Sequence, residues 1–304
     1  MADLGFVGLG AMGSRLAARL LQAGYAVTGY NRTAAKARPL VDKGMRLATS
    51  SRKVAAASDV VFTMVTDNDA LRAVVFGADG VLAGLRPGAT LVEMSTVSPA
   101  ITREIGEAVA ARGGAMLDAP VSGSTISVEQ GVASIQVGGD AAVLERVQPY
   151  LATMGPNGVT HVGPLGAAKT MKVATNLGVA VQIMAFCEAV ALAEKSGIPR
   201  AVAVEALMRS VIASPLVKYR GPYVVGQMPE HAAFPVPMIQ KDLQLALDQA
   251  RAVGVPLPLT EVTQAWMTKA REMGLGDRDF AVVFDVLASL SGLPPAPKPD
   301  AQRA

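Results

Sequence analysis

Apolar residues recur in two rhythms along this 304-residue chain, and the change between them falls near residue 162. In the first half, short apolar runs alternate with amphipathic stretches, the pattern of strands separated by helices. The runs Leu4–Gly8, Ala26–Tyr30, Asp59–Val65, Ala89–Met94, Ala115–Asp118, Val132–Gly138 and Val159–Val162 are expected strands. Helices are expected over 11–23, 34–43, 68–76, 99–112 and 140–153, with Gly24, Gly44 and Gly113 as stop signals. Such alternation predicts a parallel sheet covered by helices on both faces.

Beyond residue 165 the strand rhythm stops. A long helix is expected over 167–196, ended by Ser196-Gly197-Ile198-Pro199. Further helices follow near 200–209, 214–221, 238–253, 260–273 and 279–290. The fold expected is therefore an α/β Rossmann-type N-terminal domain (1–162), a long interdomain helix (163–196) and an all-α C-terminal domain (197–292). The proline-rich residues 293–304 read as a disordered tail. Residues 173–187 carry no charge, but the run is shorter than the ~20 residues of a membrane span, and Asn176 and Gln182 interrupt it. The expectation is a helix buried between domains or subunits, with no membrane partner.

Composition narrows the class. The chain is 51% hydrophobic and 17% charged, as a globular protein is, and only 4% aromatic, so its cores rest on Ala, Val, Leu and Met. A net charge of +3, with the basic residues spread along the chain, argues against a nucleic-acid partner. The one cysteine, Cys187, lies in an apolar helical stretch and reads as a buried, inert thiol in a reducing compartment. His161 and His231 have no partners at metal-ligand spacing, so no metal is expected. The first residues show no basic-then-apolar leader, and a cytoplasmic location is expected.

The most specific short motif is Gly8-Leu9-Gly10-Ala11-Met12-Gly13, directly after a strand and opening a helix. In this setting G-x-G-x-x-G is a dinucleotide fingerprint: one glycine makes the turn, one admits the pyrophosphate, one packs helix on strand. Gly8, Gly10, Ala11 and Met12 are its cofactor-facing positions, with helix N-terminal amides for the phosphates. At the end of the second strand, Tyr30-Asn31-Arg32-Thr33 has no carboxylate to hold a ribose 2′-hydroxyl. Arg32 suits a 2′-phosphate, which favours NADP over NAD, and Thr33 could cap the next helix while also binding. Asp67 and Asp69 open a helix and read as capping residues.

A second candidate is Lys172 with Asn176 one turn later on the same helix face. An ammonium held by an amide can pass a proton to a carbonyl oxygen. Lys169 is the rival; as a lysine at a helix start it reads as solvated.

These blocks, with Asp118-Ala-Pro-Val-Ser-Gly123 and Lys241-Asp-Leu-Gln-Leu-Ala-Leu247, resemble the β-hydroxyacid dehydrogenase (3-hydroxyisobutyrate dehydrogenase-like) family over roughly residues 3–292. The resemblance implies the fold argued above, hydride transfer between a nicotinamide and a small carboxylate-bearing hydroxy acid or semialdehyde, and dimers or tetramers built around the long helix. It implies that Lys172 is the acid/base and Asn176 its positioning amide. It places Ser122 and Gly123 at the substrate carboxylate, Thr96 near nicotinamide and substrate, Val65 and Thr66 at the nicotinamide ribose, and Lys241 near the nicotinamide end. Ala168, Thr175 and Ser124 depart from common family residues, and Ser124 with Phe234 as a substrate contact looks more like the glyoxylate and succinic semialdehyde reductase branch. Two other readings stay open: an imine reductase or reductive aminase, whose relatives usually carry Asp or Tyr at the lysine position, and a non-catalytic dinucleotide-binding interaction protein.

Overall fold

The short apolar runs of the first half form a sheet whose two faces bury different side chains. A computed structural model describes residues 2–297. Its strands are β1 (Leu4–Val7), β2 (Val27–Tyr30), β3 (Arg46–Leu47), β4 (Val60–Thr63), β5 (Thr90–Glu93), β6 (Ala115–Asp118), β7 (Val121–Ser122), β8 (Ser134–Gly139) and β9 (Val159–Gly163). They form one sheet in the order β3-β2-β1-β4-β5-β6-β8-β7, with β9 beside β8.

Phe6, Phe62 and Val92 point to one face, where Leu16 and Leu20 of helix Ala11–Gln22 and Val147 and Leu151 of helix Ala141–Met154 cover them. Their neighbours Val7, Val61 and Leu91 point to the other face, against Leu71 and Val75 of helix Asn68–Phe76 and Ile105 and Val109 of helix Pro99–Ala110. Each such fully buried side chain contributes roughly 1.5–3 kcal/mol relative to exposure, so both faces are needed to hold the strands flat between two helical layers.

β1 to β6 run parallel, as expected, but β8 pairs antiparallel with both β6 and β7. The connection from β6 to β8 holds only the short strand β7 and a five-residue helix, Thr125–Glu129, too little for a right-handed crossover to a parallel neighbour. The expectation of an all-parallel sheet is corrected there.

The chain divides into two compact units, Met1–Lys172 and Val173–Ala304. The second is built from helices: the remainder of the 29-residue helix Ala167–Lys195, then Arg200–Met208, Pro215–Arg220, Val236–Val253, Pro258–Glu272 and Val283–Ser291. By length and composition alone Ala167–Lys195 could cross a membrane. Within this chain it is buried on one side. Ala180, Ile183, Met184, Cys187, Val190 and Ala191 enter the core of the helical unit, while Ala174, Gly178 and Ala185 are exposed. Cys187 is fully buried, and desolvation pushes its thiol pKa up, so it stays protonated and inert.

The expected disordered tail begins too early. Arg200, which also pairs with Glu194, donates to the carbonyls of Pro294 and Pro295, and the Ala296 amide donates to Asp285 at 2.7 Å. Residues 298–304 lie outside the described residues.

Candidate functional site

The strand order of the first unit has a reversal between β1 and β4: the chain builds outward to β2 and β3, then returns to build β4, β5 and β6. In open parallel sheets, ligands bind beyond the carboxyl ends of the strands at such a switch point. The glycine loop follows β1 there. A Cβ on Gly8, whose φ is +94°, would lie 2.1 Å from the Met64 carbonyl oxygen, and one on Gly13 would lie 2.0 Å from that of Gly8. A Cβ on Gly10 would meet nothing within 4 Å. The outer glycines are thus required by the protein's own packing, whereas the middle one keeps a stretch of backbone bare on its outer side. Gly10 caps helix Ala11–Gln22 without a side-chain bond, and no acidic residue occupies the first turn. The amides of Ala11 and Met12 and the positive end of the helix dipole therefore face an anion site, and the loop fits a dinucleotide pyrophosphate.

At the end of β2, Asn31 is committed to the protein itself. Its Oδ1 accepts from the Leu9 amide at 2.9 Å and its Nδ2 donates to the Thr33 carbonyl, so it braces the glycine loop. Arg32, Thr33 and Lys36 are exposed. Thr33 makes no side-chain cap bond to the 3-10 turn Ala34–Ala37, so the expectation that it caps is corrected.

Val65 and Thr66 follow β4, and Thr96 follows β5. The Val65 amide donates to Ser95 Oγ at 2.8 Å, which ties the two strand ends together. Asp67 accepts from the Ala70 amide and caps helix Asn68–Phe76, as expected. Ser122 lies in β7, and Gly123 follows at φ +138° in the turn that leads to Ser124. Ser124 and Ser127 form a capping box, which is the local work done by the serine that departs from the family turn.

At the end of β6, Asp118 accepts from the amides of Gly166 at 2.8 Å and Lys169 at 2.9 Å, and so caps the helix that holds Lys172. Lys169 contradicts its sequence reading. It is 0% exposed, and its Nζ lies 2.5 Å from Glu93 Oε2 while donating to the carbonyls of Glu93 and Ser95. Lys172, three residues on, is half-buried.

In the helical unit, Asn176 is buried and donates to Asp242 Oδ2 at 2.6 Å, while Lys241 Nζ lies 2.8 Å from Asp242 Oδ1. Asp242 thus joins two candidate residues that the sequence offered separately. Its own signal was only its place beside Lys241. Phe234 packs its ring edge-on to Phe280, the centroids 5.5 Å apart.

Residues 3–163 match the model described as the NAD binding domain of 6-phosphogluconate dehydrogenase, and residues 166–287 match the NAD-binding domain of NADP-dependent 3-hydroxyisobutyrate dehydrogenase. The chain belongs to the β-hydroxyacid dehydrogenase family. It is 36% identical to the 2-hydroxy-3-oxopropionate reductase of Escherichia coli, covering 93% of this chain and 96% of that one. It is 33% identical to glyoxylate/succinic semialdehyde reductase 2 of Arabidopsis thaliana, covering 94% and 79%. Among solved structures, the 3-hydroxyisobutyrate dehydrogenase of Mycobacterium tuberculosis superposes with a TM-score of 0.84 at 31% identity, over 94% of this chain and 99% of that one. An imine reductase from Myxococcus stipitatus, at 23% identity and a TM-score of 0.64, shares the fold alone. As a β-hydroxyacid dehydrogenase the protein is an oxidoreductase of hydroxy-acid CH–OH groups that uses a nicotinamide dinucleotide.

Proposed function

We propose that the protein is an NADPH-preferring reductase of a small aldehyde acid, and the dehydrogenase of the matching hydroxy acid, with Lys172 as acid and base. The observation that carries the cofactor preference is the end of β2. Arg32 and Lys36 are exposed cations there, the Thr33 hydroxyl makes no cap bond, and no carboxylate is present to repel a 2′-phosphate. The substrate class follows the activities named for the relatives above.

Bound reduced nicotinamide supplies the hydride. Lys172 donates a proton from Nζ to the carbonyl oxygen in reduction and recovers it in oxidation. Asn176, on the next turn of the helix, orients that ammonium, and Asp242 in turn fixes the Asn176 amide by accepting from its Nδ2. Ser122 and the turn at Gly123 receive the substrate carboxylate through hydroxyl and backbone N–H groups, Val65 and Thr66 take the nicotinamide ribose, and Thr96 stands near the nicotinamide and substrate. Lys241 is held by Asp242 within the helical unit.

Lys172→Ala should lower kcat about a thousandfold while leaving the NADPH Kd within a few-fold, the range expected for loss of a general acid. Turnover that survives within tenfold sinks the assignment. Arg32→Ala should raise the NADPH KM by about tenfold or more, the loss of one charge-assisted contact, with little effect on NADH. Assaying glyoxylate, succinic semialdehyde and a cyclic imine side by side, with both cofactors, separates the reductase reading from imine reduction.

A further inference from the structure

Lys169 is the one buried lysine among the described residues, and the reaction as written above makes no use of it. Its position in the fold is specific. The ladder between β4, β5 and β6 ends at Thr63, Glu93 and Asp118, and the Met94 amide donates to the Thr63 carbonyl at 2.9 Å, so it is from Ser95 onward that the chain has left its strand partners. There Lys169 Nζ donates to the carbonyls of Glu93 at 2.9 Å and Ser95 at 2.7 Å, while Glu93 Oε1 accepts from the Ser95 amide at 2.7 Å. Ser95 Oγ then takes the Val65 amide from the end of β4. The amide of Lys169 itself is held by Asp118 at the end of β6. One residue on the first turn of the helix thus reaches three consecutive strand ends, through side chain, main chain and Ser95.

A pair kept only for stability would be an inefficient choice, because burying two charges loses hydration that a well-packed apolar pair never has to give up. The bonds made here go to the backbone of the loop, and they fix its path on both sides of Met94. That loop runs directly into Thr96. Lys172 lies three residues past Lys169 on the same helix, within the same compact unit.

We propose that Lys169 and Glu93 are positioning residues for hydride transfer: their buried ion pair sets the strand-end loops bearing Val65 and Thr96 against the helical turn bearing Lys172. The proposal rests on the reading of Thr96 and Lys172 as site residues. Neither Lys169 nor Glu93 touches substrate; they act through the loop. Displacements on the order of 1 Å in reacting groups can cost about a hundredfold in rate, so a loop that loses this hold need not unfold to lose turnover.

The test uses the double variant Lys169→Met/Glu93→Gln, which leaves no charge stranded and keeps an oxygen for the Ser95 amide. Hydrogen exchange is followed over residues 93–97, together with kcat, cofactor Kd and the primary isotope effect from cofactor deuterated at C4. The expected result is exchange at 93–97 accelerated about tenfold with the helical unit unchanged, kcat down about tenfold to a hundredfold, Kd within threefold and a larger isotope effect. Unaltered exchange overturns the proposal, and so does faster exchange with kcat within twofold of wild type. Should the double variant not fold, Ser95→Ala carries the same test through the Val65 amide, with faster exchange at Val65 and a lower kcat expected, and no change in either overturning it. A wild-type protein inactive on every aldehyde acid and hydroxy acid would defeat the reductase reading, while the exchange data would still decide whether the pair holds the loop.

Discussion

Glu93 and Asp242 are both buried carboxylates that serve the helix Ala167–Lys195, one within each compact unit, yet they work in different media. Glu93 and its partner Lys169 are both 0% exposed, and Lys169 also donates to the carbonyls of Glu93 and Ser95 while Glu93 accepts from the Ser95 amide. Asp242 is 4% exposed, but its cation Lys241 is 26% exposed and so remains in touch with water. A dry pair attracts strongly and cannot exchange partners without leaving a bare charge in low dielectric. An open pair is weaker, and its cation can turn to an incoming anion. The first arrangement suits fixing a scaffold; the second suits a site that must bind and release.

The sharpest way to break this contrast is Lys169→Met alone. It strands the Glu93 carboxylate, and stability in urea should fall by about 3–5 kcal/mol. A loss below about 1 kcal/mol would mean that water reaches the pair. Asp242→Asn should cost less, about 1 kcal/mol, because an oxygen remains for the Asn176 amide and the loss of charge is cushioned by solvent around Lys241. That cost should shrink in high salt, whereas the cost of Lys169→Met should not.

A third buried carboxylate gives the smallest effect. Burial raises the pKa of Asp285, partly offset by the Ala296 amide and by Arg278 and Arg200. With the folded value above the unfolded one, its stabilising contribution is present below the ordinary carboxylate range and is lost as pH rises through the raised value. Asp285→Asn should therefore give a slightly higher melting midpoint than wild type at pH 7, and the difference should close as the pH is lowered. Midpoints that run parallel from pH 4 to pH 7 would contradict it.

Much of this was legible in the sequence where period and length cooperate. The strands with four or more apolar or alternating residues were visible, and so were the glycine fingerprint and the long helix. β3 and β7 were not, since two residues show no period, and neither was the helix Ser51–Ala56, whose first turn carries Arg52 and Lys53 on the exposed side. The reversed β8 depends on the short connection that precedes it, which apolar patterning does not encode. Lys169 was misread for a physical reason: a lysine at a helix start is ordinarily solvated, and its carboxylate lies 76 residues earlier in the chain. The role of Asn31 as a brace was likewise hidden, because its partners are backbone groups that any sequence supplies. The same holds for Asp118, whose partners are the amides of Gly166 and Lys169.

Asp118 and Glu93 have a consequence for anyone who would isolate the nucleotide-binding portion. Cutting the polypeptide after its last strand, at Gly163, would delete both amides that Asp118 grips and the ammonium that neutralises Glu93. The resulting fragment would keep every strand, yet Asp118 would lose both helix amides and Glu93 would keep only the Ser95 amide, so a self-standing piece has to extend through the opening turns of the helix that follows.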